Sequence, residues 1–243
     1  MILKKAFTLA EVLVTIGILG VVAAITMPTL IGGTKPKELE AQFKQAHSML
    51  SQAVISVVNE KGIGIRKMYT IRTGNSYTRS TEIANAIYDK LKVVGECEYS
   101  TPVRNYSKTT SDVFIDRGTA YPNRLLANGM CFNVQVNAGM INLSIDLNGA
   151  KKLPNVLGHD IFFFYIDDND TLQPKKMSEL LSEDEVKDSE KYDSPGLGNV
   201  SSQSGDPCSK QSSQRGNGIG CAYYALINQN PDDSSKTYWD NLP

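Results

Sequence analysis

Residues 7 to 31, FTLAEVLVTIGILGVVAAITMPTLI, carry a single charged side chain, Glu11, and this stretch sets the strongest constraint on what the 243-residue chain can become. A helix rising about 1.5 Å per residue needs roughly 20 apolar residues to cross a bilayer core, so the sequence predicts a long hydrophobic helix able to do so. A secretory signal peptide is the first alternative, but its apolar stretch is shorter, about 7–15 residues, and is not interrupted by a carboxylate at its start. Lys4 and Lys5 precede the run and the next charge is Lys35, which places the amino terminus in the cytoplasm and the remaining residues across the membrane. A carboxylate in an apolar span costs several kcal/mol unless it meets a partner or a polar cavity. Glu11 therefore either pairs or snorkels to the membrane edge.

Beyond this run the composition is that of a folded domain, with a formal net charge of −1. Basic residues are dispersed, the longest clusters being Lys151-Lys152 and Lys175-Lys176, which argues against nucleic acid as a partner. Cys97, Cys131, Cys208 and Cys221 form no CxxC pair, and with two histidines in the chain no zinc site is expected. Outside the cytoplasm they become disulfide candidates. Three connectivities are open; Cys208–Cys221 is favoured because it would staple a glycine- and serine-rich loop, leaving Cys97–Cys131 by subtraction, and four reduced buried thiols are the alternative.

Pro28, Gly32, Gly33 and Pro36 predict a bend or break in the helix between 28 and 36. Helical spacing then resumes in Leu39, Phe43, Ala46, Leu50, Ala53 and Val57, one apolar stripe ended by Gly62 and Gly64. A second helix is expected from Thr81 to Val94, behind Ser80 and Thr81 as caps. Met130 to Val136 and Ile141 to Leu147 alternate apolar with polar residues about a turn at Asn137–Gly139, a β-hairpin with one wet face. "DIFFFYI", bulky on both faces, reads as a central strand. The segment near 194–220 reads as an exposed flexible loop, and "CAYYALINQN" with Tyr238 and Trp239 returns to the core.

The stretch KKAFTLAEVLVTIGILGVVAAITMP resembles the processing and methylation segment of type IV prepilins and of type II secretion pseudopilins. The resemblance implies a leader of residues 1–6, cut between Ala6 and Phe7 by a membrane-embedded prepilin peptidase, and methylation of the new amine of Phe7. Ala6 stands where the family usually has glycine. The same resemblance makes Glu11 the partner of a neighbouring subunit's Phe7 amine, fixing register along a filament, and places Pro28 where many pilins carry a helix-kinking proline. "DLNGAKKLPNVLGHDIFFF" is similar to a segment joining sheet strands in pilin-like headgroups. The expected fold is α+β: a long N-terminal hydrophobic helix, residues 7–31, packed on an antiparallel β-sheet headgroup, residues 32–243, outside the cytoplasm.

The implied function is that of a structural filament subunit, in a type II secretion pseudopilus or a type IV pilus, and not an enzyme. Its implied partners are other pilin-like subunits, membrane lipid, and an inner-membrane assembly platform with its ATPase. A single-span membrane protein with an outer ligand-binding or enzymatic domain is the alternative, and DNA capture would need basic residues clustered on the surface. No GxSxG, HExxH or P-loop occurs. Asp146, Asn148 and Asp160 flank a glycine-containing turn and are weak calcium candidates, since oxygen ligands of this sort bind calcium in some pseudopilin headgroups; Asn-Gly turn chemistry is the other reading. "DDND" at 167–170 reads as a solvated turn.

Overall fold

A computed structural model describes residues 8–71, 76–109, 123–137, 140–176 and 207–243, leaving out the side chains of residues 23–35, 70, 71, 76, 77, 79, 137 and 140. The chain divides between Glu38 and Leu39 into two units. Helix α1 runs from Leu9 to Lys61. It continues without interruption through Pro28 and Pro36, so the predicted break does not occur; a proline removes one backbone donor, and the neighbouring turns carry the helix across it.

The expected membrane-spanning helix is not found. Among the described residues no helix is long and apolar enough to cross a membrane. Nor does the N-terminal stretch supply the helix face that packs on the sheet. That face belongs to Leu39, Phe43, Ala46, Leu50, Ala53 and Val57, all buried at the spacing the sequence predicts.

In the unit from Leu39 onward, α1 ends where Gly62 takes a left-handed φ of 64° and its N–H reaches the Val58 carbonyl at 2.9 Å. Two short helices follow, α2 (Ile65–Ile71) and α3 (Ser76–Tyr88). Helix α3 stops six residues short of the predicted end, because the β-branched pair Val93 and Val94 opens strand β1 (Val93–Glu96) instead. Strands β2 (Arg124–Leu126), β3 (Cys131–Asn137), β4 (Met140–Asp146), β5 (Ile161–Ile166) and β6 (Leu172–Pro174) complete a fully antiparallel sheet in sequential order.

Register explains the core. Phe132 sits opposite Ile145, which sits opposite Phe162; Val134, Leu143 and Phe164 form the next row, and Val136, Ile141 and Ile166 the third. These rows are buried with the α1 stripe, and the Phe43 ring lies 4.6 Å from Phe162 and 5.9 Å from Phe164. The opposite face is not wet as expected. Asn133, Gln135 and Ser144 are buried there. Phe163, opposite Ser144, joins Val103, Leu157, Ile161 and Ile219 in a second apolar cluster, so loop residues close over this end of the polar face.

The carboxyl-terminal region folds back through a 3-10 turn at Ile219–Cys221, helix α4 (Ala222–Ile227) and a last turn at Trp239–Asn241. Trp239 is buried against Phe43 and Phe162, and its indole N–H donates to the Ala225 carbonyl at 3.1 Å.

Candidate functional site

Disulfides join Cys97 to Cys131 and Cys208 to Cys221, the pairing the sequence reading favours, with Cα separations of 6.2 and 5.1 Å. The first ties the exit of β1 to the start of β3. The second anchors the end of the serine-rich segment, whose residues through 206 lie outside the described ones. From Pro207 the segment is irregular, with Lys210, Gln211 and residues 213–215 exposed as expected, while Cys208 and residues 216–220 are buried; Asn217 is fully buried, its amide donating to the carbonyls of Ser209 and Ser212 at 2.8 and 2.7 Å. Gly158 approaches this disulfide so closely that a Cβ would lie 2.7 Å from Cys221 Sγ, at a φ of 73°.

At the amino terminus, Ala6 and Phe7 lie outside the described residues, as does the Pro28 side chain. Glu11 has a local partner that the sequence reading missed. Its Oε2 accepts hydrogen bonds from the Thr8 backbone N–H at 2.8 Å and from Thr8 Oγ1 at 2.9 Å, while the Glu11 N–H donates to Thr8 Oγ1 at 3.2 Å. This is a capping box, and its signal, Thr-x-x-Glu before an apolar run, stands in "TLAE". Around it Leu9, Leu13, Ile16 and Leu19 are all more than 60% exposed.

The three residues named for calcium come near one another where β4 passes into β5 through residues 147–160, the Asp146 carboxylate close to that of Asp160 and the Asn148 side chain bonded to Asp160. Asp146 and Asp160 are both buried. Asp146 Oδ1 accepts from the Asn148 and Gly149 N–H groups at 3.2 and 2.9 Å, an Asx turn that closes on Gly149 at a φ of 87°. Asp160 accepts from the Asn155 N–H through Oδ2 at 2.9 Å and from the Val156 N–H through Oδ1 at 2.8 Å, and its carbonyl accepts from the Leu147 N–H at 2.8 Å. Burial, and next the Asp160 carboxylate, push Asp146 up to about 7. Burial pushes Asp160 up to about 6, against the hydrogen bonds it accepts. Beside them His159 is buried, held well below its ordinary value at about 3 chiefly by desolvation, with Nε2 3.2 Å from the Tyr106 carbonyl.

"DDND" is a hairpin turn with a structural load. Asp167 Oδ1 accepts from the Asn169 and Thr171 N–H groups at 2.9 Å, while Asp168 pairs with Arg66 of α2 and Asp170 accepts from the Arg66 N–H. His47 is half-buried 5.8 Å from the Phe164 ring, and burial lowers its pKa. Among the described residues no group of three or more His, Cys, Asp or Glu side chains gathers as metal ligands.

What the geometry defines is an α+β unit with a single six-stranded antiparallel meander, two disulfides and a buried carboxylate-bearing turn. Comparison with protein-family models, curated proteins and solved structures finds no match.

Proposed function

We propose that this chain is the structural subunit of a pilin-like filament, in which the N-terminal helices of many copies cover one another and the sheet-bearing unit is displayed outside the cytoplasm. The observation that carries the reading is the stretch Leu9–Val22, a helix whose side chains are apolar apart from Glu11 and Thr15 and exposed throughout. A helix of that kind is stable in water only when something covers it. Identical helices from other copies are an occupant of matching length and chemistry. Glu11, already oriented by Thr8, then meets the amine of a neighbour's Phe7 and sets the axial register. The two disulfides support an oxidising compartment for the sheet-bearing unit. A prepilin peptidase, an assembly platform and its ATPase are the partners this function requires.

Processing tests the proposal. Mass spectrometry of the mature protein from its native cell is expected to show an amino terminus at Phe7 carrying one methyl group. An intact Met1, or a cut between residues 24 and 34, would remove the basis for assembly and leave the sheet-bearing unit as a binding or enzymatic domain.

A further inference from the structure

Asn-x-Ser/Thr, with x other than proline, is the acceptor sequon for N-linked glycans, and it occurs in the chain at Asn105, Asn142, Asn169 and Asn199. Transfer joins the asparagine amide nitrogen to a sugar, so an acceptor in a folded chain needs that amide in solvent, with the hydroxyl two residues on in the same accessible loop. Asn199 lies outside the described residues, and the fold treats the other three differently. Asn105 is fully buried, its Nδ2 donating to the Gln214 carbonyl at 3.0 Å and to Thr109 Oγ1 at 3.1 Å. Asn142 stands inside β4, in register between Gln135 of β3 and Tyr165 of β5. Asn169 and Thr171 are exposed at the tip of the β5–β6 hairpin, and the Asn169 carboxamide makes no hydrogen bond among the described residues.

The turn presents Asn169 without using its side chain. The Asp167 N–H donates to the Thr171 carbonyl at 3.0 Å, and Asp167 Oδ1 takes the Asn169 and Thr171 N–H groups, so the carboxylate two positions before the asparagine fixes the backbone of the whole sequon. Val103, Met140 and Leu197 stand at that place before the other three asparagines, and none can do the same. Asp168 and Asp170 are committed to Arg66 of α2.

We infer that Asn169 is an acceptor for an N-linked glycan, transferred to the folded chain from a polyprenyl diphosphate-linked oligosaccharide by a membrane-bound oligosaccharyltransferase. In that step a bond forms between Asn169 Nδ2 and the anomeric carbon of the first sugar, and the bond from that carbon to the diphosphate oxygen breaks. The polyprenyl diphosphate leaves with the electron pair, and one amide proton passes to a base of the transferase. Thr171 supplies the hydroxyl that the transferase reads. The inference rests on the part of the filament reading that displays the sheet-bearing unit outside the cytoplasm, a placement the two disulfides support.

The test uses the full chain purified from its native cell, alkylated without reduction and digested with trypsin. The peptide of residues 153–175 contains a single sequon and is expected to carry a glycan mass that fragmentation places on Asn169, while the peptides bearing Asn105 and Asn142 stay bare. Asn169→Gln and Thr171→Ala should each lose the mass, and Thr171→Ser, which restores the hydroxyl, should keep it. A bare 153–175 peptide in the wild type overturns the inference. So does a mass that survives Asn169→Gln, which would put the sugar on the Thr171 hydroxyl. Equal occupancy of Asn105 or Asn142 overturns it too, because exposure in the fold would then select nothing. The same digest reads the amino terminus. A bare Asn169 beside a methylated Phe7 sinks the glycan and leaves the filament reading, whereas a glycosylated Asn169 on a chain that keeps Met1 does the reverse.

Discussion

Two stretches of the same helix, Leu9–Val22 and Leu39–Val57, meet opposite fates. The first is apolar apart from Glu11 and Thr15 and exposed throughout; the second is polar on most of its surface, yet its one apolar stripe is buried to the last residue. Average hydrophobicity would rank them the other way. Burial follows the match between a stripe and a surface able to receive it, and the rows Phe132–Ile145–Phe162 and Val134–Leu143–Phe164 provide that surface for the second stretch. The first stretch has no such surface within its own unit.

The contrast breaks if the two stretches respond alike to truncation. Phe43→Ala removes a ring packed on Phe162, Phe164 and Trp239 and should cost about 3–5 kcal/mol by chemical denaturation. Leu13→Ala, at an exposed position, should change the same measurement by less than about 0.5 kcal/mol, and if the proposed filament forms it should impair recruitment into it. A Leu13→Ala loss as large as that of Phe43→Ala would show the first stretch to be part of the core. Next in size is the paired change Cys208→Ser with Cys221→Ser. It reopens a loop of 13 residues and should cost about 3 kcal/mol, read as a lowered denaturant midpoint without reductant.

The sequence displayed the second stretch fully and the first only in part. A stripe at helical spacing implies its own burial, and alternation in β3 and β4 implies pairing, so helix, hairpin and interior strand β5 were all legible. The wet face was not, because Asn133, Gln135 and Ser144 are covered by loop residues far away in sequence, and alternation cannot distinguish a solvated polar face from a buried polar one. Nor was the end of α3, where local propensity at Val93 and Val94 outweighed the apolar spacing. At the carboxylate turn, Asp146, Asn148 and Asp160 could be picked out by type, but Asn155 could not. Its part depends on a left-handed backbone and on Thr101, 54 positions earlier. Glu11 drew attention as a lone charge, while the Thr8 that orients it went unread in plain sight.

A smaller effect sharpens the buried side of the comparison. His159 is neutral in the fold, with its pKa lowered to about 3 from an ordinary 6.5. Because the unfolded chain binds that proton first, the stability tied to a neutral His159 is complete above pH 6.5 and is lost as pH falls from there toward 3. At pH 5 the loss should reach about 2 kcal/mol. His159→Gln, which cannot take up the proton, should flatten this part of the pH profile relative to the wild type. An unchanged profile would mean that His159 is reached by water in the folded chain.

The smallest effect belongs to the exposed stretch. Thr8→Ala removes the hydroxyl that caps α1 and breaks the reciprocal bonds with Glu11, which should cost the helix end about 1 kcal/mol. Amide exchange read residue by residue should then show faster exchange at Glu11 and its neighbours, with the β3–β5 amides unchanged, since the two regions belong to different units. Glu11→Gln keeps an acceptor for the Thr8 N–H and should preserve most of that protection. If the Glu11 charge serves register between copies, Glu11→Gln should still impair filament assembly while Thr8→Ala impairs it far less. Equal impairment by both would assign Glu11 to capping alone, and the exposed stretch would lose its one charged determinant of register.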